Sequence, residues 1–192
     1  FGYGVQLTPL QTLTFYNTIA NNGKLVKPRF LKKVTSFDNV IESFDTEVIN
    51  PSICSQETID KVKQMMLNVV EKKHGTAHNI YDKNFSMAGK TGTCQTEYWK
   101  SPDLYISSFA GYFPADKPKY SCIVVIHKPN KLKGYYGNVV AAPVFKKIAQ
   151  KIYSETPIIE QQNFPKDKEL IEENIVNTID YYDSLNNSIM PD

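Results

Sequence analysis

Apolar residues recur at helical spacing in three stretches of the chain. Leu10, Leu13, Phe15, Tyr16, Ile19 and Ala20 form the first stripe. Thr8-Pro9 ahead of it offers a cap and a first-turn proline, and Asn21-Asn22-Gly23 after it tolerates a left-handed cap. The pattern predicts a scaffold helix over residues 8–21, with Gly2 and Gly4 making a tight turn before it. In the second stretch, Ile59, Val62, Met65, Met66, Val69 and Val70 define the inner face of a helix over residues 57–73. Acids at its start and lysines at its end suit the helix dipole, and the Met pair reads as core packing. The third helix is expected over residues 141–153. It opens on Ala142-Pro143 and turns Val144, Phe145, Ile148, Ala149 and Ile152 inward.

Between these lie segments rich in β-branched and aromatic residues. Residues 28–44 read as a hairpin around Asp38-Asn39, a pair suited to a turn. Residues 84–95, 106–113 and 120–127 read as strands. The short link Pro114-Ala115-Asp116-Lys117-Pro118 joins the last two, so they are expected to pair antiparallel, with all three adjacent in sequence order. The expected fold class is therefore α+β: an antiparallel sheet of three main strands plus a small hairpin, packed with helices. Residues 98–103 form a loop with the only tryptophan, Trp99; it suits a cleft rim or a cover for the sheet edge. Residues 128–137 form a basic loop bearing Gly and Tyr.

The strand over 84–95 carries the candidate chemistry. Its centre is Met87-Ala88-Gly89-Lys90-Thr91-Gly92-Thr93-Cys94-Gln95. Glycine inside a strand marks a place where a ligand or another backbone comes close. Period-two alternation puts the Thr91 and Thr93 hydroxyls on one face. Lys90 starts on the other, with a stem long enough to reach around an edge. Two hydroxyls and an ammonium beside open backbone N–H groups make a receptor for a carboxylate and a peptide strand. A plain polar edge strand with a solvated lysine is the competing description.

Composition narrows the field. The chain has 192 residues, 41% hydrophobic and 12% aromatic, which is globular rather than disordered. A net charge of +2 makes no case for nucleic acid. No run approaches the roughly 18 apolar residues that cross a bilayer, and no signal peptide is visible. Cys54, Cys94 and Cys122 are odd in number and widely spaced, so no disulfide framework is expected. Cys94 and Cys122 read as small buried residues; an exposed Cys94 would be open to thiol reagents. His74 and His78 are four apart and could share a helix face, but Gly75 after a lysine pair ends the helix and no third ligand stands in a recognisable pattern. Neither a metal nor a cofactor is expected. After Ser154 the composition turns acidic and is interrupted by Pro157 and Pro165. Residues 155–192 are expected to form a tail or linker, or a docking helix on Leu170, Ile171, Ile175, Ile179 and Tyr182.

Lys90-Thr91-Gly92-Thr93 resembles the Lys-Thr-Gly motif of penicillin-binding proteins and serine β-lactamases. The resemblance extends to Gly2-Tyr3-Gly4-Val5-Gln6-Leu7-Thr8-Pro9-Leu10-Gln11, Ile19-Ala20-Asn21-Asn22-Gly23, Gly75-Thr76-Ala77 and Ala141-Ala142-Pro143-Val144-Phe145, in matching order and spacing. The chain is similar to the C-terminal part of a class B penicillin-binding protein of the cell-division type, over residues 1–153. The resemblance implies a partial penicillin-binding transpeptidase domain over residues 1–154. It implies acyl transfer on peptidoglycan stem peptides ending in D-Ala-D-Ala, with β-lactams as trapping mimics and cell-division proteins as further partners. By the family's pattern Lys90 and Thr93 are catalytic: Lys90 supplies positive potential and the Thr93 N–H is one of two oxyanion donors. Thr91 and Thr93 hold the substrate carboxylate. The backbone from Thr93 to Gln95 takes the substrate as an added strand, with Gly92 left bare for it. Gly75-Thr76-Ala77 would border the cleft.

Two motifs of the family are missing. No serine has a lysine three residues on, so Ser-x-x-Lys is absent. Ser-x-Asn occurs only as Ser184-Leu185-Asn186, in the tail. The expectation is a fragment whose nucleophile lies upstream, inactive alone. Its parent would sit at the outer face of the cytoplasmic membrane on an N-terminal anchor. The closing Ile189-Met190-Pro191-Asp192 resembles the opening of a PASTA repeat. Two readings of other classes stand beside this one: a non-catalytic β-lactam sensor sharing the sheet, and an interaction module that uses the tail.

Overall fold

A computed structural model describes residues 5–37, 39–97, 99 and 104–155. Phe1–Tyr153 form one unit of the fold. Helix α1 runs Pro9–Ala20. The Thr8 hydroxyl accepts from the Gln11 N–H at 3.2 Å, and the Thr8 N–H donates to Gln11 Oε1 at 2.9 Å. This reciprocal cap satisfies two of the orphan donors at a helix start. At the other end Asn22 and Gly23 take φ of 55° and 84°, the left-handed stop that the sequence promised. The apolar stripe is only partly used. Ile19 is buried, but Leu10 and Phe15 are 41% and 55% exposed, because the apolar packing on the sheet runs through Tyr16, Ile19 and Ala20.

Strands β1 (Leu25–Val26), β2 (Lys33–Ser36), β3 (Asn39–Ser43) and β4 (Val48–Asn50) follow. The β2–β3 hairpin lies inside the expected 28–44 and is solvent-exposed throughout. The antiparallel β1–β4 pair was not anticipated, since two- and three-residue strands carry no readable alternation.

Helix α2 spans Gln56–Glu71, with Ser55 as its cap. Ile59, Met66 and Val70 are buried, while Met65 is 65% exposed. Consecutive helical residues point about 100° apart, so the expected pair of inward methionines resolves into one inward and one outward. The helix stops at Glu71, and Lys72 is already extended. The lysines therefore lie past the last turn rather than within it. A short 3₁₀ turn, His78–Ile80, comes next.

The main sheet has strands β5 (Ala88–Gln95), β6 (Tyr105–Phe113) and β7 (Tyr120–His127) in the order β5-β6-β7, all antiparallel. Each face of it has its own core. On one, Phe109, Phe113 and Val124 meet Ala77, Ile80, Phe85 and Met87, together with Phe145 and Ala149. On the other, Ala88 and Tyr112 meet Ile19 of α1 and Met66 of α2. Phe145 and Ala149 come from α4 (Ala142–Glu155), which follows a four-residue helix α3, Gly137–Val140. The Phe145 ring packs edge-on against Phe109 and Phe113 at 4.8 and 5.6 Å between centroids. Each fully buried ring of this kind contributes about 1.5–3 kcal/mol. Val144 and Ile148, expected to face inward, are 39% and 37% exposed. The sheet is covered by the narrower strip of Ala142, Phe145, Ala149 and Ile152. Among the described residues no helix is long and apolar enough to cross a membrane.

Gly2, Gly4, Asp38, the 98–103 loop apart from Trp99, the acidic tail and its Ser184-Leu185-Asn186 and 189–192 segments lie outside the described residues.

Candidate functional site

Strand β5 is paired on one side only among the described residues. Its register on β6 sets Lys90 against Ala110, Thr91 against Phe109, Gly92 against Ser108, Thr93 against Ser107 and Gln95 against Tyr105. The ladder continues into Thr96, whose N–H donates to the Leu104 carbonyl at 2.7 Å. Residues of an antiparallel strand face their partner alternately. Counting back from Thr96, Lys90, Gly92 and Cys94 direct their backbone groups to β6, while Thr91, Thr93 and Gln95 direct theirs to the open edge. The Thr93 N–H and the Thr91 carbonyl are thus edge groups. A Cβ on Gly92 would stand 2.5 Å from Ser108 Oγ, so a side chain there would turn the Ser108 hydroxyl aside.

Lys90 begins on the face shared with Ala88 and wraps round the edge. Its ammonium donates to the Thr91 carbonyl at 3.0 Å and to Thr91 Oγ1 at 3.2 Å. Thr91 and Thr93 share the opposite face, and each hydroxyl meets a group from outside the strand. Thr91 Oγ1 lies 3.2 Å from Thr76 Oγ1. Thr93 Oγ1 accepts from the Gly137 N–H at 3.1 Å, which leaves the Thr93 hydroxyl proton to donate elsewhere. An ammonium, two hydroxyls and an N–H thus converge on one strand edge. Gln95 sits at the C-terminal end of the same face and is half-buried.

Two supports of this edge were not legible as such. Gly137 opens α3, and a Cβ on it would stand 2.4 Å from the Ser108 carbonyl oxygen and 2.6 Å from that of Gly92. The preceding Tyr135 carbonyl accepts from the Ser107 hydroxyl. Together these pin the end of the 128–137 loop over the β5–β6 ladder. The second support is Thr76, flanked by buried Ala77 and by Gly75, where a Cβ would come within 2.3 Å of the Val69 carbonyl oxygen. Gly75-Thr76-Ala77 and the Tyr-Tyr-Gly run were the available signals. The segment leading into β5 is fixed as well: Ser86 Oγ donates to Asp116 at 2.9 Å and accepts from the Ala115 N–H at 2.9 Å. That hydrogen bond, ahead of smaller contributions from neighbouring N–H groups and Lys117, holds the Asp116 carboxyl below its ordinary range.

Other candidates resolve against the expectation or away from the site. Cys94 is exposed rather than buried, because it shares the face of Lys90 beyond the reach of the covering helices. Cys122 is half-buried against the core, and burial pushes its thiol up. His74 is exposed, and a His78 ring nitrogen meets the Val70 carbonyl at 3.0 Å; the described residues hold no cluster of three His, Cys, Asp or Glu suited to a metal. Trp99 is 70% exposed.

Residues 1–150 match the penicillin-binding protein transpeptidase domain family. A Buchnera aphidicola protein, peptidoglycan D,D-transpeptidase FtsI, is 33% identical over 157 residues, covering 79% of this chain and 25% of its own length. Penicillin-binding protein PbpB of Mycolicibacterium smegmatis is 32% identical over 162 residues, covering 77% of this chain and 24% of its own. The chain thus spans about a quarter of the length of these curated relatives. Among solved structures, Mycobacterium tuberculosis penicillin-binding protein 3 in complex with ampicillin is 30% identical with a TM-score of 0.65, over 80% of this chain and 36% of that one. The transpeptidase domain of Burkholderia pseudomallei penicillin-binding protein 3 is 25% identical with a TM-score of 0.66, over 82% of this chain and 45% of that one. Sequence match, sheet order and the Lys-Thr-Gly-Thr edge agree: the chain belongs to the class B penicillin-binding proteins and contributes part of their transpeptidase domain.

Proposed function

We propose that this chain is the receptor half of a peptidoglycan D,D-transpeptidase active site. The observation that carries the reading is the open edge of β5, where the Lys90 ammonium, the Thr91 and Thr93 hydroxyls and the Thr93 N–H converge. A serine from a Ser-x-x-Lys segment outside this chain attacks the penultimate D-alanine carbonyl of a stem peptide. The serine oxygen–carbon bond forms, the bond to the terminal D-alanine breaks, and D-alanine leaves with a proton on its amine. An amine of a second stem peptide then takes the acyl group and the serine recovers its proton. The sum is one peptide bond exchanged for another, with no cofactor.

Each edge group has a role in that exchange. The Thr93 N–H is an oxyanion donor, the kind of contact worth about 10²–10³ in rate. The Thr91 and Thr93 hydroxyls and the Lys90 charge receive the substrate's terminal carboxylate. The outward backbone groups of Thr93 and Gln95 bind the donor peptide as an added strand. β-Lactams enter as acylating mimics of the donor. The site faces the outer side of the cytoplasmic membrane, with an anchor outside this chain, and cell-division proteins are its partners in the cell. The acidic residues 155–192 form a separate segment after the domain.

The test joins the chain to its natural upstream sequence. Turnover of a D-alanyl-D-alanine donor into a cross-linked product, blocked by benzylpenicillin and abolished by Lys90→Ala, is the expected result. A joined protein that is neither acylated nor able to transfer overturns the assignment.

A further inference from the structure

The Lys-Thr-Gly-Thr strand does not set its hydroxyls alone. We infer that Thr76, two elements away in sequence, is a positioning residue of the carboxylate receptor: its hydroxyl donates to Thr91 Oγ1 and so turns the Thr91 proton toward the ligand. The inference rests on the transpeptidase reading and names one more residue of the same site.

A threonine hydroxyl has two lone pairs and one proton. Thr91 Oγ1 has two neighbours, the Lys90 ammonium at 3.2 Å and Thr76 Oγ1 at 3.2 Å. The ammonium has only donors, so it takes one lone pair. If Thr91 donated to Thr76, its proton would be spent inside the protein and the receptor would lose a donor. With Thr76 as donor, both lone pairs are filled and the proton is left for an anion at the edge. A carboxylate bound beside the Lys90 charge selects that second arrangement, because hydrogen bonds to an ion outweigh those between neutral groups. Thr93 obeys the same logic with a fixed donor, the Gly137 N–H.

The placement of Thr76 is built rather than incidental. The Gly75 N–H donates to the Lys72 carbonyl at 2.7 Å, the Ala77 N–H to that of Val69 at 3.0 Å and the His78 N–H to that of Gly75 at 3.1 Å. Gly75 is packed too tightly on the end of α2 for a side chain, and Ala77 is fully buried. The exposed Thr76 is held between two anchored neighbours and aimed across at β5.

The experiment measures the acylation rate constant of the protein joined to its upstream Ser-x-x-Lys sequence, with benzylpenicillin and with its methyl ester. Thr76→Val slows acylation by benzylpenicillin about tenfold, the scale of a lost hydrogen bond in a charged network. Thr76→Ser restores it. The methyl ester, which lacks the carboxylate charge, is acylated by wild type and Thr76→Val at the same rate. In a Thr91→Val background, Thr76→Val adds nothing. Equal slowing with both compounds, or an effect that simply adds to that of Thr91→Val, overturns the inference and leaves the transpeptidase reading standing. A wild-type protein that no β-lactam acylates overturns both.

Discussion

Thr93 presents two different donors from one residue. Its N–H points to the open edge by the alternation of the ladder, and its hydroxyl, filled by the Gly137 N–H, keeps a proton to give. Valine keeps the shape and the N–H while removing the hydroxyl. Thr93→Val in the joined protein is therefore expected to slow acylation about 10–100-fold, through weaker binding of the carboxylate; stopped-flow acylation over a range of β-lactam concentration checks it. Tyr112 offers a test that needs no ligand. The residue is fully buried against Ala88, Ile19 and Met66, and its hydroxyl has no hydrogen-bond partner among the described residues. Burial pushes the phenol up to about 12. The folded state then holds its proton above pH 10, where the unfolded chain releases it, so stability is present below about pH 10 and falls as pH rises toward 12. That loss comes to about 2 kcal/mol by pH 12. Tyr112→Phe is expected to raise stability by about 1 kcal/mol near neutral pH and to flatten this alkaline decline, as denaturant melts at pH 7 and 11 would reveal.

At the level of elements, legibility followed periodicity. The three long helices were readable because ten or more residues average over local exceptions, and the long strands because runs of β-branched and aromatic residues mark them. What failed was finer. Met65 against Met66, and Val144 and Ile148 against Phe145, depend on which strip of a helix the sheet covers, and sequence periodicity gives the stripe without its width. The β1–β4 pair and α3 are too short to carry a pattern. The Lys90, Thr91 and Thr93 face assignment was readable because strand geometry dictates it, whereas the partners Thr76 and Gly137 come from distant loops. Two predictions belong here. Thr8→Ala removes the reciprocal cap of α1 and is expected to cost about 0.5–2 kcal/mol in a denaturant melt. Gly137→Ala drives a methyl into the Ser108 and Gly92 carbonyls, so it should displace α3 and weaken acylation together with folding, visible as altered amide shifts for Thr93 and as a lower melting temperature.

For the molecule as a whole, the two cores on either side of β5-β6-β7 explain how part of a transpeptidase domain holds the open edge of β5 in place. The nucleophile motif is absent from the sequence, so a fluorescent penicillin is expected to leave the isolated 192-residue chain unlabelled on a denaturing gel. A covalent band would overturn the division of labour proposed above. Acid should loosen the domain first at its carboxylate ties. The Asn84 N–H and then Lys146 and Gln150 lower Asp82, and the Ser86 hydroxyl lowers Asp116. A lowered carboxyl contributes stability above its unfolded value near 4, and that contribution disappears as pH falls through the folded one. Asp116→Asn is thus expected to be less stable than the wild type at pH 6 and to match it more closely at pH 2–3, measured by thermal melts.

The wrapped lysine on β5 has a second consequence, one of solubility. A strand with a bare flank invites another copy to anneal along it, and a charge on that flank is a common deterrent. On the proposed reading, neutralising Lys90 removes a site charge and this deterrent at once, so light scattering must accompany any assay of such a variant before its silence is read as chemistry.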